Sequence, residues 1–247
     1  MAINDFIEQQ QFVPAEAGNL LDERHAQFFN DNGYVILRNW VPADVLDAVT
    51  PDVERLVAEN HRRQKDIHRK SAAVEALMNS DRVSGLMEEA NGPSTILQSF
   101  AFTKLPHEIR TKHWHQDGVY WGLSDARVSC VFVPLTETNE DNGCIWMIPG
   151  THKLGRMFHH VATDEFGLEN LECDTSSFRP AVPMVLKRGD AILAHTYTVH
   201  ASFHNRTDQP RISLGFHFRN QATELELSTP YRKAREEVLG RDPARAA

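Results

Sequence analysis

The chain has 247 residues, 26 basic against 34 acidic side chains for a net charge of −8, and 41% hydrophobic residues. That is ordinary globular composition, long enough to bury a core in one large domain or two small ones, and its negative charge argues against nucleic acid or an anionic membrane as the main partner. A small-molecule enzyme is the leading class. Nowhere do about eighteen apolar residues run together, and Met1 to Glu16 has no basic stretch followed by an apolar one, so neither a membrane span nor a secretory signal is expected and the protein reads as soluble and cytoplasmic. Cys130, Cys144 and Cys173 are an odd number without Cys-x-x-Cys spacing, which disfavours a disulfide framework and a structural zinc site.

In chain order, Leu21, His25, Phe28 and Phe29 have helical spacing within Leu20 to Asn30, and Asn32-Gly33 stops that helix before the apolar run Tyr34 to Leu37, a strand. Pro42 suits the first turn of a second helix carrying Leu46, Val49, Val53, Leu56 and Val57, which Pro51 is expected to kink or restart. His61 to Lys70, with three arginines and two lysines, reads as a solvated helix face or a loop.

After Gly92-Pro93 the pattern changes to short apolar or alternating runs: Ile96 to Phe102, Val128 to Val133, Cys144 to Ile148, Met184 to Leu186, Ala191 to Ala194 and Ile212 to Phe218. Turn signals at Asn142-Gly143, Pro149-Gly150, Arg188-Gly189-Asp190 and Asn205 to Pro210 separate them, Asn142-Gly143 being read first as a hairpin turn. In the last run Ile212, Leu214, Phe216 and Phe218 alternate with Ser213, Gly215, His217 and Arg219, the signature of a half-buried strand. Many short strands predict a sandwich or jelly roll. Residues 155–182 form a long acidic connection without periodicity, the usual mark of a functional lid or a disordered loop, and Pro230 to Leu239 reads as a terminal helix.

The densest chemistry lies in Lys112 to Trp121. His115 and Asp117, two apart on an extended chain, leave the same face and can grip one ion. With 13 histidines and 16 aspartates in 247 residues, chance alone supplies roughly 0.8 such pairs, so the pair needs company. That company is the histidine-rich segment containing His195, His200 and His204, followed by Arg211. Two imidazoles and a carboxylate on three corners form the facial triad of non-haem Fe(II) sites, and an arginine one strand away suits a distal carboxylate of a co-substrate. His113, His195, His204 and His217 read otherwise as surface or satisfied core histidines. Trp146 and Trp121 divide evenly between core and pocket wall, and His159-His160 sit in the expected lid.

These residues resemble the phytanoyl-CoA dioxygenase family of Fe(II)- and 2-oxoglutarate-dependent oxygenases. The resemblance runs from Phe28 to Leu37, through Trp114-His115-Gln116-Asp117, Asn142 to His152 and Arg188-Gly189-Asp190, to His200-x-Ser202-x-x-Asn205 with Arg211. It implies His115, Asp117 and His200 as iron ligands, with the Ser-x-x-Asn-then-Arg context choosing His200 over His195 and His204. It also implies Arg211 as anchor of the far carboxylate of 2-oxoglutarate, with Ser202 adding a hydroxyl and Gln98 and Trp121 lining that pocket. Lys112 faces the same region without an assigned role.

The fold so implied is mainly β with flanking helices, a double-stranded β-helix (a cupin-like jelly roll), in a single domain over residues 1–247. Within it lie an N-terminal helical part at 18–90, a jelly-roll core at 94–220 and a lid-like insertion at 155–182. The activity implied is oxidation, by hydroxylation first, of an unactivated C–H in a small organic molecule. Fe(II), 2-oxoglutarate and molecular oxygen take part, succinate and CO₂ are released, and natural-product metabolism is one setting. Retention of the Asp117 carboxylate favours hydroxylation over halogenation, whereas desaturation, cyclisation and epimerisation use the same triad. The rival readings are a cupin-like metalloenzyme that does not use 2-oxoglutarate, such as an isomerase or ring-cleaving dioxygenase, and a non-catalytic binding barrel. Nothing in the sequence indicates an oligomer.

Overall fold

The computed structural model describes residues 21–60, 63–163, 169–178 and 180–225. The expected helix at Pro230 to Leu239 and the N-terminal Met1 to Glu16 lie outside these residues, as do Asp164 and Glu165 of the acidic connection.

The first helix, α1 (Glu23–Asn32), begins where Asp22 accepts the His25 backbone N–H and ends at Gly33. Gly33 adopts φ 80°, and a Cβ there would collide with His152 and Thr198, so only glycine lets the chain turn directly into β1 (Tyr34–Leu37). Helix α2 (Ala43–Asn60) follows as one helix and is not restarted at Pro51. The polar run expected as a helix face or loop instead forms β2 (Arg63–Lys65) and a 3₁₀ turn, Ile67–Arg69. Ile67 and His68 are buried there, with the His68 ring bonded to the Ser99 hydroxyl. Its charges misled because only part of the run faces solvent. Two short helices, α3 (Ala72–Met78) and α4 (Asp81–Asn91), start at the serine caps Ser71 and Ser80.

The remaining strands are β3 (Ser94–Lys104), β4 (Lys112–His115), β5 (Val128–Pro134), β6 (Ile145–Met147), β7 (His160–Thr163), β8 (Glu169–Glu172), β9 (Val182–Pro183), β10 (Ala191–His195), β11 (His200–Ser202) and β12 (Arg211–Asn220). They build a six-stranded sheet in the order β1-β10-β5-β12-β3-β2, a four-stranded sheet β4-β11-β6-β9 and a separate β7-β8 hairpin. This is the expected jelly roll. Two strands from the N-terminal part, β1 and β2, form the two edges of the large sheet, so the helical part and the barrel interlock.

Alternation along the large sheet divides its two faces. Val35, Leu37, Val131, Val133, Leu193, Leu214 and Phe216 pack with Val53, Leu77, Leu86 and Met87 of the helices. Tyr34, Ile36, Phe100, Cys130, Phe132 and Ile192 face inward against Met147, Val182, Met184 and Leu186. Each fully buried large apolar side chain contributes about 2 kcal/mol.

Several expectations change in detail. Strand β12 is buried on both faces: its apolar residues meet the helices, and its polar alternates point into the barrel rather than to water. Asn142-Gly143 is a turn in the crossing between the two sheets, not a hairpin, because β5 and β6 belong to different sheets. Within Met184 to Leu186 only Leu186 makes a bridge, to Thr138, and the strand is Val182–Pro183. The 155–182 connection carries a hairpin, whose second strand runs beside β4 with the Cys173 N–H donating to the Trp114 carbonyl. Arg188-Gly189-Asp190 is structural: buried Asp190 accepts from Arg38, from the Asn39 N–H and from the Lys187 N–H. No helix among the described residues is long and apolar enough to cross a membrane.

Candidate active site

The small sheet carries the candidate ligands. His115 ends β4 and Asp117 opens a 3₁₀ turn, Asp117–Tyr120. They are not on one strand. The intervening Gln116 is extended (φ −112°, ψ 131°), which preserves the alternation that aims both side chains the same way. His200 begins β11 directly opposite His115. The ring centroids of the two histidines lie 4.3 Å apart, and Nε2 of His115 and of His200 lie 3.5 and 3.6 Å from the two Asp117 oxygens. One donor atom from each of the three falls within 4.8 Å of the others.

The tautomers are set by local geometry. His115 Nδ1–H donates to the His113 carbonyl at 2.7 Å and His200 Nδ1–H to the Thr198 carbonyl at 3.0 Å. Each distal Nε2 is thereby left as a lone-pair donor, the form a metal requires. Burial pushes the His115 imidazole down to about 3, with Lys112 and His200 adding to the fall. Burial alone would raise the Asp117 carboxyl, but the neighbouring His200 and His217, with the hydrogen bond from His217, hold it well below the usual carboxylate range. Two neutral imidazoles and a carboxylate are the donor set that fits Fe(II).

Across the barrel, Arg211 opens β12 and is buried. Among the described residues its guanidinium makes one side-chain hydrogen bond, Nη1 to the Ser213 hydroxyl at 3.3 Å, while Nε has none. Burial pushes this guanidinium down to about 10. It lines a narrow cavity with Phe132, Ile145, Met184 and Ser213, and the Phe132 ring centroid is 6.5 Å from that of His200. A buried cation with most of its fork unused is costly unless an anion completes it.

Of the other residues expected here, Ser202 is buried in register with Ile145, a wall of that cavity, and Lys112. Gln98 lies opposite His217 in the β3–β12 register, and Trp121 packs 4.7 Å from the His217 ring. Lys112 donates to the Tyr120 hydroxyl at 2.6 Å. His204 is exposed, His195 accepts the Tyr197 N–H at Nδ1, and neither is among the clustered donors His115, Asp117 and His200. Asn205 is a loop organiser whose amide donates to the Lys104, Leu105 and Gln209 carbonyls, shaping the approach to Arg211.

Two residues escaped the sequence reading. His217 is a core histidine, but what its Nε2 meets, at 2.9 Å, is the Asp117 carboxylate. Its place at the fourth inward position of β12, in step with Arg211 and Ser213, was the available signal. Gln116 is fully buried; its side chain donates to the Gly155 and Tyr197 carbonyls and accepts the Met157 N–H, while its own N–H donates to His159 Nε2. The root of the 155–182 segment is thus fastened to the residue between two candidate ligands.

Burial holds both His159 and His195 at about 4. Each stays neutral in the fold and charges in the unfolded chain near the ordinary 6.5, so its contribution to stability is intact above 6.5 and is lost as pH falls from there towards 4. The unfolding temperature of the metal-free protein is therefore expected to fall between pH 7 and 5, and His195→Gln to flatten that fall. Thermal unfolding of both proteins across this range checks it.

Residues 29–213 match the sequence profile of the phytanoyl-CoA dioxygenase family. The chain belongs to this family. Its relatives include the mouse peroxisomal phytanoyl-CoA dioxygenase, 21% identical with 85% of this chain and 72% of the relative covered, and rice phytanoyl-CoA dioxygenase 1, 24% identical with 81% and 89% covered. Among solved structures, EctD from S. alaskensis with 2-oxoglutarate and 5-hydroxyectoine aligns at TM-score 0.73 and 23% identity, over 86% of this chain and 80% of that one. The carbocyclase SnoK from nogalamycin biosynthesis aligns at TM-score 0.72 and 17% identity, over 92% and 94%. This phytanoyl-CoA dioxygenase family member is a dioxygenase of the iron- and 2-oxoglutarate-dependent class.

Proposed function

We propose that His115, Asp117 and His200 hold the iron, that Arg211 anchors the far carboxylate of 2-oxoglutarate with Ser202 beside it, and that the enzyme hydroxylates an unactivated C–H of a small organic molecule. One observation carries this reading: two imidazoles locked to present Nε2 beside one carboxylate, with an incompletely satisfied buried guanidinium across the same barrel. Bound there, iron would supply oxygen activation coupled to decarboxylation of the co-substrate, chemistry no side chain provides.

The protein's share is geometric and electrostatic. Burial keeps His115 neutral, and the Nδ1–H bonds of His115 and His200 fix the ring orientation that turns each Nε2 toward Asp117. The planar fork of Arg211 matches a carboxylate with two parallel N–H bonds. Phe132, Ile145 and Met184 give the anchoring cavity an apolar lining, and low-polarity surroundings strengthen such a pairing. The 155–182 segment, tied to Gln116 at its root, is proposed to gate the mouth of the barrel.

The test is succinate release by purified protein with Fe(II), 2-oxoglutarate and a panel of amino acids, terpenoid and polyketide acids and acyl-CoA thioesters. Turnover that requires both Fe(II) and 2-oxoglutarate and stops with a chelator is expected. A protein that binds iron and oxidises a substrate without consuming 2-oxoglutarate would favour the cupin-like alternative.

A further inference from the structure

His115 and His200 spend Nδ1 on a backbone carbonyl and face Asp117 with Nε2; His217 approaches the same carboxylate from the opposite sheet and does something different. Its Nε2 is 2.9 Å from Asp117 Oδ2, closer than either candidate ligand nitrogen comes to the carboxylate. An ionised carboxylate only accepts hydrogen bonds, so at this distance Nε2 carries the proton and donates. That nitrogen therefore has no lone pair for a metal, and His217 does not join the donor atoms clustered within 4.8 Å of one another. The ring is 1% exposed and wedged among Trp121, Phe100 and Phe132, at centroid distances of 4.7, 5.1 and 6.2 Å. Its direction of donation is fixed by packing.

A carboxylate beside a metal can offer one oxygen or both. Three protein ligands leave three positions of an octahedral ion open, and a chelating keto acid needs two of them. If Asp117 offered both oxygens, a fourth position would be filled. We propose that His217 is a positioning residue that occupies Asp117 Oδ2, restricts this ligand to Oδ1, and so keeps the third open position of the iron site.

This inference rests on the iron reading above, and Co(II) binding to the metal-free protein separates the two. A wild-type protein that binds no Co(II) overturns the iron reading. Glutamine and methionine are near in size, and only glutamine brings an N–H donor. With the wild type binding, His217→Met is expected to weaken Co(II) about 10- to 100-fold, the usual cost of losing a partner of a metal ligand, and to change the visible absorption of bound Co(II), whose intensity follows coordination number. His217→Gln is expected to return affinity to within about threefold. Thermal unfolding of the metal-free variants should be alike, which a purely structural role would not give. Wild-type affinity and spectrum in His217→Met, or a glutamine variant as weak as the methionine one, overturns the proposal. His217→Phe, which keeps a ring against Trp121 and Phe100, repeats the comparison without a flexible side chain.

Discussion

His115→Ala, Asp117→Ala and His200→Ala are each expected to lose iron and to lower 2-oxoglutarate turnover by on the order of a hundredfold or more, since removing even a hydrogen-bonding partner of a ligand costs 10- to 100-fold. The fold should survive, because His115 and His200 sit at the ends of short strands and Asp117 in a 3₁₀ turn, outside the two apolar layers on either face of the large sheet. His204→Ala changes an exposed side chain and should leave both iron and turnover intact. His195→Ala removes the acceptor of the Tyr197 N–H, so it should lower the unfolding temperature while iron content per folded molecule stays the same. Iron analysis and succinate formation on all five variants decide the assignment. An inactive, iron-free His204→Ala beside an active His200→Ala would show that the distal ligand had been misplaced.

How far the sequence was readable depends on what each signal measures. Short apolar or alternating runs found β3, β5, β10 and β12, because their apolar residues pack on the helix layer or, in β3, β5 and β10, also into the barrel interior. The strands of the small sheet, β4 and β11, escaped that rule: Lys112-His113-Trp114-His115 and His200-Ala201-Ser202 put polar residues inside the barrel, and a strand lining a polar site does not look like a strand. The same inversion hid His217. Alternation in β12 was legible, but which face met water was not, since both are buried. Motif order singled out His115, Asp117, His200 and Arg211 as candidates, whereas the contacts of Gln116 and Asn205 are bonds to chain segments far away in sequence, such as the Tyr197 and Lys104 carbonyls. Such partners carry no local signature.

Arg211→Ala is expected to raise the KM for 2-oxoglutarate by well over tenfold, as loss of a charge-assisted bidentate pair costs about 2 kcal/mol or more. The structure sharpens this expectation in two ways. The guanidinium is buried with its Nε unsatisfied among the described residues, so a dicarboxylate should relieve a desolvated charge as well as gain hydrogen bonds, and 2-oxoglutarate should raise the unfolding temperature of the wild type. The alanine variant, which has no buried cation to relieve, should be at least as stable alone and should gain little from the co-substrate. Arg211→Lys should recover only part of the affinity, because an ammonium cannot reproduce the planar fork. Lys104, in register with Arg211, is no ready substitute: it is buried with its ammonium donating to the Arg110 and Ser202 carbonyls. Steady-state kinetics in 2-oxoglutarate and thermal unfolding with and without it provide both readouts. An unchanged KM together with undiminished stabilisation of Arg211→Ala would move the anchor to another cation, and Lys112, on β4 beside the candidate iron ligands, would be the first to replace.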